Sequence, residues 1–211
     1  KARAAYFACV DFLDEMLGDF LATMEHGGLL DNTIIIYTSD HGEMAGEHSL
    51  WWKNTWHESS SRVPLIISTP DHRSGKQAAS EVTQPTSLAD LYPTLCDIAG
   101  ISKPEGLDGT SLLPALQGHT PTGIVDRIGV ITEGLTPRWG EGTEFRMIRS
   151  ERFKYIAFRS CDPLAFDLEN DPDEQVNIAD APEFKEVLEP LREAVMSGFS
   201  FDEAEATRKE Q

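Results

Sequence analysis

The stretch that decides the fold is Asp31-Asn32-Thr33-Ile34-Ile35-Ile36-Tyr37-Thr38-Ser39-Asp40-His41-Gly42-Glu43. Its uninterrupted run from Thr33 to Thr38 is rich in β-branched residues, which is typical of a strand buried on both faces. Upstream, apolar residues recur at three- and four-residue steps from Tyr6 to Met24 and predict an amphipathic helix that ends at Gly27-Gly28. A helix, a tight loop and a buried strand in this order predict an α/β fold with a parallel sheet.

The rest of the chain changes character near Pro121. Before it, a second apolar run from Val63 to Ser68 predicts another buried strand. After it, three short and partly alternating segments predict a small antiparallel sheet. These segments are Ile128–Thr132, Phe145–Arg149 and Phe153–Phe158. We therefore expect an α/β part over residues 1–120 and a small α+β subdomain over residues 121–211.

The C-terminal end of the sequence is helical in pattern. Apolar positions at helical spacing predict a helix from Pro182 to Met196, interrupted by Pro190, because proline removes a backbone donor. The charged tail from Asp202 onward is expected to fray.

Composition excludes several classes of protein. The chain has 211 residues and a formal net charge of −18 at pH 7. It therefore lacks the basic character that binding to nucleic acid or to an anionic membrane surface requires. No stretch approaches the roughly 20 consecutive apolar residues of a membrane span. We expect neither nucleic acid nor a membrane as a partner.

Cysteine usage and the first residues say little about the compartment. Cys9, Cys96 and Cys161 are far apart and odd in number, which argues against a disulfide framework and against a zinc site. The sequence begins at Lys1 already in a helical pattern, so we expect a fragment, and the location of the full-length protein stays open. A cytoplasmic or periplasmic bacterial location is weakly favoured.

The densest group of polar side chains follows the first predicted strand. Asp40 and His41 come directly after it, at the strand end where ligands bind in parallel α/β sheets. A carboxylate beside an imidazole suits a divalent ion, and Gly42 permits a tight exit from the strand. Taken alone, the same residues are also compatible with an ordinary structural turn.

The continuation of the chain carries a specific resemblance. Residues 31–43 are similar to the late metal-ligand motif of the sulfatase family, which belongs to the alkaline phosphatase superfamily. Lys53-Asn54-Thr55-Trp56-His57-Glu58, followed by Arg62-Val63-Pro64, resembles the lysine motif of that family. Trp51-Trp52-Lys53 looks most like the choline-sulfatase and bacterial arylsulfatase branches.

The resemblance continues, in order, toward the C-terminus. Asp90–Leu95 and Leu107–Gly109 match linking elements of the family, and Phe153–Ile156 and Phe166–Glu174 match its C-terminal subdomain. It implies part of a parallel-sheet, alkaline-phosphatase-like sandwich, followed by a small antiparallel sheet with a C-terminal helix. Residues 1–120 would then be the C-terminal part of the family's catalytic domain.

The resemblance also implies roles for the polar residues. Asp40 and His41 would hold a divalent metal, with Ca²⁺ expected and Mn²⁺ or Zn²⁺ open because imidazole suits both. Lys53 would contact the anionic oxygens of a sulfate ester and act in catalysis, since an ammonium stabilises negative charge that grows during the reaction. Without the motif, Lys53 would be interpreted as a solvated lysine.

Other residues of the same loop are weaker candidates. His57 lies four residues after Lys53 and could share its face on a helical turn, there to give a proton to the leaving group or bind substrate; a structural role is the alternative. His48 and Trp52 are candidate substrate-binding residues. Trp51, Trp52 and Trp56 could form an aromatic wall, or equally a small core of the loop itself.

The expected nucleophile has no convincing counterpart. The family's nucleophile is a formylglycine made from Cys or Ser in a C/S-x-P-x-R motif, whereas Cys161-Asp162-Pro163-Leu164-Ala165 has Ala where Arg is required. We therefore expect a chain that is inactive alone and whose partner is the missing N-terminal part of the same protein. The whole protein would hydrolyse a small-molecule or glycan sulfate ester and could be a homo-oligomer. A phosphonate or phosphate ester hydrolase and a noncatalytic scaffold domain remain the alternatives.

Overall fold

The computed structural model describes residues 1–209. The α-helices run in chain order as α1 Ala2–His26, α2 Glu58–Ser61, α3 Pro70–Arg73, α4 Leu91–Ala99, α5 Leu113–Leu116, α6 Thr122–Val125, α7 Lys185–Met196 and α8 Phe201–Lys209. The strands are β1 Ile35–Thr38, β2 Met44–Ala45, β3 Trp51–Trp52, β4 Leu65–Ser68, β5 Val130–Gly134, β6 Phe145–Arg149, β7 Phe153–Phe158 and β8 Leu164–Asp167. No described helix combines the length and the hydropathy needed to cross a membrane.

The chain forms two compact units that alternate along the sequence. The first unit comprises Lys1–Lys53, Glu58–Ser80 and Leu116–Gly118. The second comprises Asn54–His57, Glu81–Ala115 and the described residues from His119 onward. The division of the whole fold at residues 120 and 121 stays a prediction.

In the first unit, the two predicted strands pair with each other. β1 and β4 are antiparallel, with Ile35 opposite Ser68 and Thr38 opposite Leu65. The sequence predicts a parallel sheet in this part of the chain, whereas among the described residues β1 and β4 pair only with each other. A parallel partner needs a crossover connection. The chain between β1 and β4 instead forms a β2–β3 hairpin and the one-turn helix α2, and it returns at the end of β1 from which it left.

Helix α1 confirms the helix predicted from Tyr6 to Met24. It ends at the predicted glycines, and Gly28 has a φ of +64°, a left-handed conformation that glycine adopts without a Cβ clash. None of its residues is buried, and Phe7 and Phe20 are 59% and 52% exposed. β1 is likewise only half-buried along its length, rather than buried on both faces.

The second unit is built on the antiparallel sheet β5-β6-β7-β8. On one face, Ile148, Tyr155 and Ala165 pack with the buried face of α7, formed by Leu188, Leu191 and Val195. Burying each such leucine contributes about 1.5–3 kcal/mol. Phe145, Met147, Ile156 and Phe166 form a second cluster with the half-buried Trp56. The predicted antiparallel sheet and C-terminal helix are confirmed.

Two expectations for the C-terminal end are wrong. α7 runs through Pro190 without interruption, because its buried leucines fix the helix on the sheet on either side of the proline. From Asp202 to Lys209 the tail is not frayed but helical, as part of α8; residues 210 and 211 lie outside the described residues. Arg159 pairs with Asp202 at 2.5 Å and with Glu205 at 2.6 Å, which ties the helix down.

Asp90 connects separate segments of the second unit through hydrogen bonds. Its fully buried carboxylate caps the turn at Ser87 and accepts two 2.9 Å hydrogen bonds from Arg127. It also accepts a 2.7 Å bond from the backbone N–H of Thr110. Gly109 is required here, since a Cβ at this position would lie 2.0 Å from the backbone oxygen of Ala89.

Candidate metal and anion site

Asp40 and His41 lie side by side immediately after β1. Asp40 Oδ2 is 3.5 Å from His41 Nε2, and Asp40 Oδ1 accepts a 3.0 Å hydrogen bond from the backbone N–H of His41. The Asp40 side chain is 84% exposed, and the His41 side chain is 35% exposed. Neither points into an apolar core, so the geometry expected for a pair of metal ligands is present.

The tautomer of His41 follows from its partner. Nδ1 lies 2.7 Å from the backbone oxygen of Gly42. Because a carbonyl oxygen can only accept, Nδ1 carries the hydrogen and Nε2 keeps its lone pair. A hydrogen bond of this kind is the usual way in which a protein fixes a metal-binding histidine. Nε2 is therefore the nitrogen available to a cation.

Gly42 is required by close packing and not by a left-handed backbone. Its N–H donates to the backbone oxygen of Ser60 at 2.8 Å, and a Cβ would lie 2.1 Å from the backbone oxygen of Ser59. Any side chain here would push the backbone of α2 away. The glycine thus lets the chain after His41 lie directly against α2.

Lys53 reaches the same pair of residues. Its Nζ lies 2.6 Å from His41 Nε2, so the ammonium donates to the lone pair that a cation would use. Desolvation acts to raise the pKa of Asp40, but the neighbouring imidazole of His41, two backbone N–H groups and the ammonium of Lys53 outweigh it and hold that pKa below its usual value. The structure therefore brings together Asp40, His41 and Lys53, from two segments of the chain.

The loop that carries Lys53 has an unusual backbone. Four residues without the freedom of glycine have positive φ: His48 (51°), Ser49 (62°), Trp52 (78°) and Asn54 (70°). Such conformations cost of order 1–3 kcal/mol each and tend to occur at functional sites. His48 lies in the turn of the β2–β3 hairpin, and Trp52, which is 74% exposed, ends that hairpin directly before Lys53. Their roles in substrate binding stay predictions.

The expectation that Lys53 and His57 share one face of a helical turn is wrong. α2 begins only at Glu58, and Asn54 has a left-handed backbone. His57 is 7% exposed, and its ring lies between those of Trp56 and Phe166. Its predicted catalytic role is not decided by this geometry.

The three tryptophans of this loop, for which the sequence leaves an aromatic wall and a small core of the loop both open, have different surroundings. Trp56 packs edge-on against Phe145 and Phe158, with ring centroids 5.8 Å and 4.9 Å away, and so belongs to the core of the second unit. Trp51 and Trp52 are instead exposed. The local sequence could not show this, because the partners of Trp56 are about a hundred residues away.

The fit to a divalent cation is partial. A carboxylate and an imidazole are suitable ligands, but in this structure the Nε2 lone pair accepts from Lys53. Among residues 1–209, no group of three or more His, Cys, Asp and Glu side chains is arranged to hold a metal. Because hard cations take about six ligands, Asp40 and His41 could supply only part of such a site.

Comparison with known proteins gives a consistent result. The family model described as Sulfatase matches residues 1–101. Arylsulfatase K of Bos taurus is 38% identical over 216 residues, which cover 97% of this chain and 38% of that protein. The human arylsulfatase K is 36% identical, with the same coverage of both chains. The chain thus spans about 38% of the length of these curated relatives.

Solved structures extend the likeness to the fold. A phosphonate monoester hydrolase of Agrobacterium radiobacter has a TM-score of 0.81 and 34% identity, over 92% of this chain and 40% of that one. A protein solved with its substrate D-glucosamine-2-N,6-O-disulfate has a TM-score of 0.76 and 31% identity, over 91% and 39%. The predicted α/β fold of the alkaline phosphatase type is therefore confirmed.

Proposed function

We propose that this chain is part of a sulfatase and that the whole protein hydrolyses organic sulfate monoesters as a metal-dependent sulfuric ester hydrolase. The observation that carries the proposal is the cluster of Asp40, His41 and Lys53, in which two potential cation ligands and an ammonium group share one point, His41 Nε2. An ester anion needs such a local positive field in a chain whose net charge is −18.

The family uses a divalent metal together with a formylglycine. Asp40 and His41 would hold part of the metal, which when bound supplies positive charge to the oxygens of the ester. We propose Ca²⁺, with Mn²⁺ or Zn²⁺ as the alternatives that an imidazole ligand allows. Lys53 would bind an ester oxygen and stabilise the negative charge that moves toward the leaving oxygen.

For the remaining candidate residues we propose the following roles. His57 would position or protonate the leaving group, and His48 and Trp52 would contact the substrate beyond its sulfate. The exposed indole of Trp52 offers a flat face next to Lys53, which suits a sugar or aromatic leaving group. The sequence Trp51-Trp52-Lys53 supports a choline-sulfatase or bacterial arylsulfatase subtype. The known substrate of one structural relative, a disulfated glucosamine, supports a glycan sulfate.

A second candidate function is hydrolysis of phosphonate or phosphate esters. It is favoured by the phosphonate monoester hydrolase with a TM-score of 0.81 and by the imidazole at His41. Lys53 and a divalent metal would serve either anion, because both esters carry negative charge on oxygens bound to a tetrahedral centre.

A substrate panel separates these possibilities. The full-length protein is assayed with an aryl sulfate, an aryl phosphonate monoester and an aryl phosphate, each with added Ca²⁺ or Mn²⁺. We expect kcat/KM to be highest for the sulfate. Preference for the phosphonate would establish the second candidate. Turnover of none of them by protein that binds metal would favour a noncatalytic scaffold.

The exposed face of α1 supports one proposal about partners. We propose that its apolar side chains, including Phe7 and Phe20, are covered in the full-length protein by a further segment of the same polypeptide. Hydrogen exchange of α1 should then be slower in the full-length protein than in residues 1–211 alone. Equal exchange in the two, or a concentration-dependent slowing that indicates a homo-oligomer, would contradict it.

A further inference from the structure

A buried ion pair lies in the second unit, next to His57. Lys154 of β7 is 0% exposed, and Glu174, in the acidic loop after β8, is 5% exposed. Lys154 Nζ donates to Glu174 Oε1 at 2.8 Å. Both residues belong to the C-terminal stretches that resemble the sulfatase family, and the proposed function gives neither of them a role.

Such a pair needs an explanation other than stability. Two charges taken out of water lose hydration, and their attraction often only offsets that loss. Apolar residues of similar size frequently stabilise a core equally well or better. Glu174 also has a left-handed backbone, with a φ of 53°, which is unfavourable for a residue with a side chain. The protein therefore retains two unfavourable features in order to place one carboxylate.

The pair holds the segment Asn54–His57, which directly follows Lys53 in the sequence. Glu174 Oε2 is 3.5 Å from His57 Nδ1, and Lys154 Nζ donates to the backbone oxygen of Trp56 at 2.9 Å. Trp139 Nε1 donates to the backbone oxygen of Asn54 at 3.0 Å. This segment of four residues is thus fixed by three side chains that are distant in sequence.

The orientation of His57 follows from these contacts. Its ring lies between Trp56 and Phe166, at centroid distances of 5.6 Å and 6.3 Å, so it has little freedom to turn. A carboxylate facing Nδ1 favours the tautomer with the hydrogen on Nδ1, which leaves Nε2 as the acceptor. Lys154, bound to the other carboxylate oxygen, holds that carboxylate in place.

We propose that Lys154 and Glu174 are positioning residues: they fix the ring of His57 and the backbone of residues 54–57 for the hydrolytic reaction. The proposal rests on the proposed function for its kinetic consequence, but the holding of the segment can be measured without turnover. Partners that orient a functional histidine typically change activity by about 10–100-fold when they are removed.

The experiment uses the full-length protein and four variants: Glu174→Gln, Lys154→Met, the double variant that carries both changes, and Asp167→Asn as a control. Asp167 is also nearly buried, and its carboxylate pairs with Arg152. Thermal unfolding, kcat and KM for an aryl sulfate, and hydrogen exchange of the peptide that covers residues 54–57 are measured for each.

We expect Lys154→Met to lower the melting temperature strongly, because it leaves Glu174 buried without its cation. The double variant should recover most of that stability. Its kcat should nevertheless remain about tenfold or more below wild type, with a smaller change in KM and faster exchange in residues 54–57. The control should lose stability without a selective change in that peptide.

Two results would overturn the inference. Recovery of kcat together with stability in the double variant would show a merely structural pair. Unchanged exchange of residues 54–57 in Glu174→Gln and in the double variant would show that the pair does not hold the segment. If wild-type protein turns over no ester, the proposed function fails, and the exchange measurement still decides whether the pair holds His57.

Discussion

Replacing Lys53 with alanine in the full-length protein is the perturbation whose outcome the structure specifies most closely. The Nζ atom lies 2.6 Å from His41 Nε2, next to the point where a cation and the ester oxygens would meet. Lys53 itself is exposed, so its removal takes away a charge but little packing. The variant should therefore separate catalysis from folding.

The expected magnitude follows from the cost of losing one donor to a developing oxyanion. Such a loss lowers kcat by about 100–1,000-fold, equivalent to about 2.7–4 kcal/mol of transition-state stabilisation. Global stability should change by less than about 0.5 kcal/mol, as for other surface substitutions. Metal affinity should not fall, because Lys53 competes for the lone pair of His41 and is not a ligand.

The assay measures initial rates with an aryl sulfate, together with metal content and melting temperature. Lys76→Ala is the matched control, since Lys76 is an exposed lysine of the same unit, 3.7 Å from Asp71. Lys53→Arg should recover little activity, because a planar guanidinium does not reproduce a compact point charge. Wild-type kinetics in Lys53→Ala, with full metal content and an unchanged melting temperature, would refute the reasoning.

Three further predictions concern separate parts of the molecule. Asp90→Ala should cost about 3–5 kcal/mol in urea unfolding, because it leaves the charge of Arg127 without its buried partner; a loss below 1 kcal/mol would contradict the role given to this pair. Hydrogen bonds from Arg152 are the largest cause that holds the pKa of Asp167 below its usual value. The ionised Asp167 therefore stabilises the fold above the ordinary carboxyl pKa of about 4, and this stabilisation is lost as the pH falls below that value. Urea midpoints between pH 6 and pH 2 should fall more steeply for wild type than for Asp167→Asn, and parallel curves would disprove the linkage. Trp52→Ala should raise KM for sulfated sugars or aryl sulfates several-fold with little change in kcat, and an unchanged KM would remove Trp52 from the substrate site.

Local sequence patterns predict the elements whose structure depends least on contacts with distant parts of the chain. β6 and β7 were predicted with the bounds they have, because alternation on a half-buried sheet is a local property. β8 was not predicted, since Leu164–Asp167 is only four residues long and is defined by its pairing with β7. The direction in which β4 pairs with β1 depends on the path of the loop between them, which periodicity does not encode.

The residues of the candidate site also differ in whether local sequence could predict their positions. Asp40 and His41 are neighbours in sequence, so their proximity could be predicted, and the resemblance to a family motif added Lys53 from twelve residues away. Lys154 and Glu174 are not predicted as site residues from the sequence, although both lie in the C-terminal stretches that resemble the family. Only tertiary structure shows that the pair meets His57, 97 and 117 residues earlier in the chain. A charged residue inside an otherwise apolar strand, such as Lys154 in β7, was the one signal available.

The central claim is tested most directly by turnover of an aryl sulfate by the full-length protein before chelation, after chelation, and after return of Ca²⁺ or Mn²⁺. The Asp40→Asn and His41→Ala variants are carried through the same cycle. The account predicts that wild-type activity is lost on chelation and recovered with metal, and that both variants bind metal more weakly and recover little activity. Sulfate turnover that survives chelation, or that is unchanged in both variants, would contradict it.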